Sequence, residues 1–441
     1  MRNIKLSKLW DTLHSSYWFV PTLMAIASVG LAVTMLRIDR AGNYGVIKEW
    51  GWIYSGGPDG ARALLSTVAG SLITVTGTAF SITIVALQLA ASNFGPRLLR
   101  NFMQDTGNQL VLGTFISTFV YCLLVLRTIH GEDYDIFVPQ LSVTVGMVLA
   151  FISICVLIYF IDHASTIIQA SHVIKSASDE LDRAIERLFP QGIGYSINDN
   201  EIITEIPANF EEEAYPIKAT RNGYLQGIDD DELMQIACQH NLIVKILTRP
   251  GKFVVKGSNL VKISPGERIN HKLTKKINDA FLLDKERTEQ QDVEFPINQL
   301  VEIALRAISP GINDPFTAIR CIDRLSAGLS NFAQRDIPSP YRYDKNNNLR
   351  VIAEPVTFAG LTDAAFNQIR QYSTKDVAVT IRLLEAIACI ATFTQNPKRR
   401  EALRRHADMI LQGSLEAVSC KPDCKDIQSQ YNIAVQALMQ N

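Results

Sequence analysis

The sequence predicts a membrane α-helical protein with four transmembrane helices and a cytoplasmic α+β part, in which a small β-barrel module precedes a helical domain. Three observations predict it. Four uncharged or nearly uncharged apolar segments crowd the first 163 residues, short β-branched runs between turn residues follow from about residue 200, and amphipathic helical repeats fill the chain from about residue 271. Of 441 residues, 47% are hydrophobic and 20% are charged. That charge share lies below the ~25% of soluble proteins, and the shortfall falls on the amino-terminal third.

The spans are expected at 17–36, 63–91, 110–129 and 138–161, each long enough for a bilayer. The first has no cleavage site for a leader and reads as an anchor. Between the second and third spans lie Arg97 and Arg100 against Asp105, whereas the loop 130–137 holds Glu132, Asp133 and Asp135 with no Lys or Arg. The positive-inside rule places the former in the cytoplasm. Arg2, Lys5 and Lys8 place the amino terminus there too, and with it everything after Asp162. Arg37, Arg40, Lys48 and Arg62 in the loop 36–62 argue weakly the other way. The expected topology is multi-pass, with both termini cytoplasmic.

After the membrane part (1–163), residues 164–190 read as a helical linker. Ile167, Ala170, Ile174, Ala177, Leu181, Ala184 and Leu188 alternate steps of three and four, a heptad seam for another helix or a symmetry mate. The barrel module is expected over 200–266, where Arg249-Pro250-Gly251 and Gly257 bracket a short strand. No lysine sits at a hairpin tip as in a lipoyl or biotinyl carrier, so the module reads as structural. The helical domain is expected over 271–441, with helices at 296–308, 315–329, 374–393, 398–418 and 426–439 and an exposed hairpin around Asp344–Asn348.

The formal net charge of -1 and the lack of a long basic run give no reason to expect a nucleic-acid partner, and none is expected. Seven scattered cysteines form no disulfide framework and suit a reducing compartment. Cys420 and Cys424 lack zinc-knuckle spacing, so neither metal nor other cofactor is expected. No phosphate loop, Gly-x-Ser-x-Gly elbow or His-Glu-x-x-His helix occurs, and the chain does not read as an enzyme.

The second span carries the feature with the most to say about function. Thr67, Ser71, Thr74, Thr78, Ser81, Val85, Gln88 and Ser92 step by four and three alternately, which holds them on one helical face. At ~1.5 Å per residue the row runs roughly 37 Å, longer than the ~30 Å of hydrocarbon. Such a line is either a packing surface or the wall of a water path. Arg62 stands near one end and Arg97 and Arg100 near the other, a placement that favours anions. Elsewhere, Asp162 and His163 close the fourth span as a possible proton-responsive pair. Asn313 or Asp314 caps the helix that opens at Pro315, and Arg287, Asp292 and Arg306 with that turn form a possible corner for a polar effector.

Three stretches carry a resemblance: Ala61–Leu99 with Ser92-Asn-Phe-Gly-Pro-Arg97; Gly107-Asn-Gln-Leu-Val-Leu-Gly-Thr-Phe115; and Arg287-Thr-Glu-Gln-Gln-Asp292 followed by Ile303-Ala-Leu-Arg-Ala-Ile-Ser-Pro-Gly-Ile-Asn-Asp-Pro315. Through them the chain resembles, over nearly its whole length, a bacterial family of predicted membrane proteins (domain of unknown function, number twenty-two fifty-four). The resemblance implies an inner-membrane protein and supplies no activity. The expected function is a homo-oligomeric ion channel or pore for ions or small polar solutes, gated or supported by its cytoplasmic domain. Its plan is similar to that of small-conductance mechanosensitive channels. The rival is a membrane-anchored sensor or scaffold whose cytoplasmic domain binds a partner or small effector, with the polar row buried inside one subunit.

Overall fold

The computed structural model describes residues 16–41, 53–95, 105–130, 137–167, 169–189 and 206–440. The chain divides into two compact units, Met1–His172 and Val173–Asn441. The first contains four helices long and apolar enough to cross a membrane: α1 (Phe19–Ala41), α2 (Pro58–Phe94), α3 (Thr106–Leu126) and α4 (Gln140–Ile167). They overrun the apolar windows because helix continues into the polar flanks. α2 opens with Pro58 in its first turn, where the missing N–H is no loss, and stops at Gly95 with φ 109°. Its 37 residues reach ~55 Å.

α3 is the central member, packed on α1, α2 and α4 and the most buried of the four. Ala32, Leu65, Ala69, Tyr121, Cys122, Val125 and Val143 build the core at one end; Leu72, Ala79, Val111, Phe115 and Phe160 build it at the other.

The second unit begins within α5 (Ala170–Leu188). Of the expected heptad seam, Ile174, Ala177, Leu181 and Ala184 are buried, and Val173 and Ile185 beside it are buried as well. There follow α6 (Phe210–Glu213), β1 (Tyr215–Lys218), β2 (Gly223–Ile228), α7 (Asp230–His240), β3 (Ile243–Ile246), β4 (Phe253–Val254), β5 (Asn259–Ser264), α8 (His271–Asp279) and β6 (Phe281–Asp284). The expected barrel does not form. One open sheet has the order β1-β5-β3-β8-β7, where β7 (Tyr341–Tyr343) and β8 (Leu349–Ile352) are the expected hairpin; a second is β4-β2-β6. The turn–strand–turn around β4 is present, but β2 leaves β1 to pair with β4 and β6. β8 joins β3 in parallel from about a hundred residues away. All four residues of β8 are buried, so the hairpin serves as sheet rather than as an exposed insertion.

Six helices complete the unit: α9 (Glu294–Ala307), α10 (Pro315–Ala333), α11 (Phe358–Tyr372), α12 (Val377–Ala391), α13 (Pro397–Ala417) and α14 (Lys421–Met439). α10 carries Gly328 at the point where Leu181 of α5 presses closest, with Leu181 Cδ2 2.5 Å from the place a Cβ would occupy. α11 is an addition to the expected set. Thr357 caps it, and Phe358, Leu361, Thr362, Ala365, Phe366 and Ile369 bury its inner face.

Candidate functional site

The buried residues of α2 are Ala61, Leu65, Ala69, Leu72, Ala79, Thr83, Ala86, Ala90 and Phe94, a stripe that rests on its neighbours. Every member of the polar row but Thr78 stands two residues from a member of that stripe. Two residues at ~100° each carry the row about 200° around the helix, to the opposite side. Thr67, Ser71, Thr74, Thr78, Ser81, Val85, Gln88 and Ser92 are accordingly all exposed on the single chain.

The hydroxyls of the row are partly occupied. Thr67 Oγ1 donates to the Ala63 carbonyl at 2.7 Å, Thr74 to Gly70 at 3.0 Å, Thr78 to Thr74 at 3.1 Å and Ser81 to Gly77 at 2.9 Å. Back-bonding of this kind lowers the cost of facing lipid and leaves each oxygen able to accept. Gln88 is different. Among the described residues nothing hydrogen bonds its exposed carboxamide. Beside the row lie Gly70 and Gly77, where a Cβ would meet no atom within 4 Å. On its other side stand Val75, Ile82 and Leu89, of which the last two are exposed. A polar line thus runs between one flank that holds these glycines together with the exposed Ile73, Phe80 and Ile84, and another that holds Val75, Ile82 and Leu89.

Of the residues expected at the ends of the row, Arg97 and Arg100 lie outside the described residues. Arg62 is exposed and donates through Nη2 to the Ile129 carbonyl at 2.9 Å, which ties its guanidinium to the end of α3.

Two ionisable contacts brace the ends of α1, α3 and α4. His163 does pair with a carboxylate, but with Asp105 rather than its neighbour Asp162: Nε2 lies 2.9 and 3.0 Å from the two oxygens. Tyr159 stacks on the ring at 5.2 Å, and Asp105 also accepts from the Asn108 N–H to cap α3. At the opposite end the buried Asp39, on α1, caps α4 from outside. It accepts from Leu141 N at 3.1 Å, Ser142 N at 2.9 Å and Ser142 Oγ at 2.5 Å. In the sequence Asp105 reads only as a loop charge, and nothing singles out Asp39. The available signal was a carboxylate within a turn of an apolar span, which needs a partner.

The residues expected to share an effector corner do not all meet. Arg287 forks onto the buried Asp292 with Nη2 at 2.6 Å and Nε at 2.9 Å. Burial still pushes the Asp292 carboxyl above its usual range, against the opposing pull of Arg287. Next to it Glu294 holds Arg249 and Lys252, the latter at 2.9 Å. Arg306 pairs with Glu302 at 3.7 Å, Asn313 takes a left-handed φ of 52°, and Asp314 caps α10 through Thr317 N at 3.1 Å. The 14 residues of α9 separate the two groups by ~20 Å. The first group is a clasp that fastens the β3–β4 turn to α9, and the second is a helix–turn–helix corner.

A further ionic cluster joins α11 to α13. His406, fully buried, places Nε2 2.8 Å from Asp363 Oδ1, and Arg405 pairs with the same oxygen. Burial depresses the His406 pKa, opposed by Asp363. Among the described residues, no group of three or more His, Cys, Asp or Glu side chains is arranged to hold a metal ion.

Four membrane-length helices with an outward polar row, followed by a folded helix-and-sheet unit, define a multi-pass membrane protein. Comparison with known proteins narrows the class. The profile of the family described as predicted membrane protein (DUF2254) matches residues 14–389, and the chain belongs to that family. An uncharacterized protein of Mycobacterium bovis is 31% identical over 414 residues, which cover 92% of this chain and 77% of the relative. An uncharacterized protein of Mycobacterium tuberculosis strain H37Rv matches with the same identity and coverage. No solved structure matches the chain.

Proposed function

We propose that the protein is a homo-oligomeric pore of the bacterial inner membrane, with both termini and the second unit in the cytoplasm, where that unit supports or gates it. The observation that carries this reading is the position of the polar row, exposed along its whole length on the face of α2 away from the other three helices. In a lone chain the row would face acyl chains. The back-bonded hydroxyls tolerate that, but an unpaired carboxamide such as that of Gln88 costs several kcal/mol in hydrocarbon. Around a symmetry axis the same side chains face water and each other.

The flanks of the row suit a head-to-tail ring. The Gly70 and Gly77 strip of one copy accepts the Val75, Ile82 and Leu89 ridge of the next, a heterologous contact that repeats until it closes. The row contains no acidic residue, and Arg62, Arg97 and Arg100 flank it, so the permeant species is an anion or a small polar solute. The sensor or scaffold reading requires the row to be buried among helices of one subunit, and the exposure of all eight positions weighs against it. The reading gives the chain no catalytic role.

The direct experiment is reconstitution of the folded, oligomeric protein in planar bilayers. Discrete current steps under voltage or tension, reduced by Gln88→Leu, are expected. Silence from protein shown to be folded and oligomeric would refute the pore.

A further inference from the structure

The pore reading makes no use of the ionic junction where α11 packs on α13. Asp363, Phe366 and Arg370 step by three and four along α11 and share one face. The fully buried His406 of α13 lies on this face. Its ring is edge-on to Phe366 with centroids 5.9 Å apart, and its Nε2 is 2.8 Å from Asp363 Oδ1. Arg405 pairs with the same oxygen, and both Arg405 and Asp363 reach the surface. Asp363 is therefore occupied by two donors. Arg370 makes no ion pair among the described residues, and its Nη2 donates only to Asn367 Oδ1 at 3.3 Å.

Two atoms of this junction lack partners. His406 Nδ1 and Arg370 Nε are both buried, and neither forms a hydrogen bond among the described residues. A carboxylate only accepts, so Nε2 carries the ring proton and Nδ1 of the neutral ring is a bare lone pair. The two ring nitrogens direct their bonds about 140° apart, so Nδ1 turns away from Asp363. Arg370, two turns beyond Asp363 and ~10 Å further along α11, lies on that side. A second proton on the ring would set a new donor beside the donor of Arg370. The junction would then hold three cations against one carboxylate. These charges act on one another. Burial depresses the His406 pKa, and Arg405 and Arg370 depress it further against the pull of Asp363. Burial likewise depresses that of Arg370, with Arg405 adding to it. Charges on the other elements that pack on α13 are engaged elsewhere: Arg404 with Asp408 and with Tyr431 of α14, and Arg382 of α12 with Glu385 and Asp323. The junction is rich in donors and short of a negatively charged acceptor.

We propose that this junction binds a small inorganic oxyanion, of the phosphate and sulfate class, together with a proton. Arg370 Nε–H and the Nδ1–H of doubly protonated His406 donate to it, while Asp363 holds Nε2 and Arg405 in place. Two charged N–H donors suit an acceptor that carries several oxygens on one centre. The anion and the proton then raise each other's affinity, as linkage requires. The inference rests on α11 and α13 alone and does not depend on the pore.

Thermal unfolding of the full chain in micelles of a neutral detergent, followed by circular dichroism, tests it. Sodium sulfate is the probe, because sulfate keeps the same charge from mildly acid to mildly basic pH, and sodium chloride holds the ionic strength constant. At about pH 5.5, below the ordinary imidazole value, sulfate should raise Tm by a few degrees along a curve that saturates. At about pH 8 the rise should be several-fold smaller. Arg370→Gln, at a partly exposed position without an ion pair, should fold normally and lose the rise at both pH values. His406→Gln should remove the pH dependence of the response. A sulfate effect that is absent, or that grows linearly without saturating, would overturn the proposal. So would a rise that survives in Arg370→Gln, or one of equal size at both pH values, since the ring would then take no part.

Discussion

Replacing Asp39 tests whether α1 fixes the start of α4. The carboxylate accepts two backbone N–H groups and one hydroxyl at a helix amino terminus that has no cap of its own chain neighbours. Hydrogen bonds to a charged group contribute ~1.5–3 kcal/mol, an amino-terminal cap ~0.5–2 kcal/mol, and the terms overlap because they share one carboxylate. Asp39→Ala should therefore destabilise the membrane unit by about 3 kcal/mol, leaving Leu141 N and Ser142 N without their acceptor. Asp39→Asn keeps one acceptor oxygen but turns an amide N–H₂ toward a donor, so it should lose roughly half as much. Ser142→Ala removes one hydroxyl and should cost ~1 kcal/mol or less. The assay is denaturation of purified protein in mixed micelles, followed by helical circular dichroism. The order Ala, Asn, Ser142→Ala, from most to least damaging, is the expected result. Asp39→Ala within ~0.5 kcal/mol of the parent would refute the view that this side chain joins the two spans.

Gly251 has φ 88° and its missing Cβ would overlap the buried Asp292 carboxylate. Gly251→Ala should therefore cost about 3 kcal/mol, through backbone strain and displacement of the Arg287–Asp292 pair, read as faster proteolysis of the β3–β4 turn. For His406, burial lowers the pKa, so the folded state sheds a proton that the unfolded chain binds. Its contribution is complete above the ordinary imidazole value of ~6.5 and is lost as pH falls through the lowered one. Thermal stability should thus drop as pH falls below about 6.5, and His406→Gln should flatten that slope; an unchanged slope would remove His406 as its source. Gln88→Leu should lower conductance without unfolding the chain, because the side chain is exposed, and a variant that conducts like the parent would take Gln88 off the pathway.

What the sequence revealed followed the range of the interaction. The four spans are local runs of apolar side chains and were legible within a few residues. So was the cap at Asp314, because Asn313-Asp314-Pro315 is a local signal for a helix start. The sheets were less legible. β8 pairs with β3 across about a hundred residues, and nothing near Leu349–Ile352 tells a sheet member from an exposed hairpin arm. A barrel inferred from Arg249–Gly257 used the correct strand and the wrong partners. α11 was missed although Phe358, Leu361, Ala365, Phe366 and Ile369 have helical spacing, since Gly360, Thr362 and Asn367 weaken its propensity and tertiary burial decides the outcome. The polar row was fully visible as a periodicity, but its direction was not. A repeat defines a face, and only the packing of α1, α3 and α4 fixes which way that face points.

The most direct test is thiol accessibility in the assembled protein, in sealed vesicles. Thr74→Cys, Thr78→Cys, Ser81→Cys and Gln88→Cys are each exposed to a membrane-impermeant, water-borne thiol reagent, beside Ile82→Cys and Leu89→Cys as controls one residue off the row. A wet axis predicts reaction at the four row positions and protection at the two controls. If the row positions stay unmodified while the oligomer is intact, hydrocarbon covers them, and these side chains do not line a path for ions.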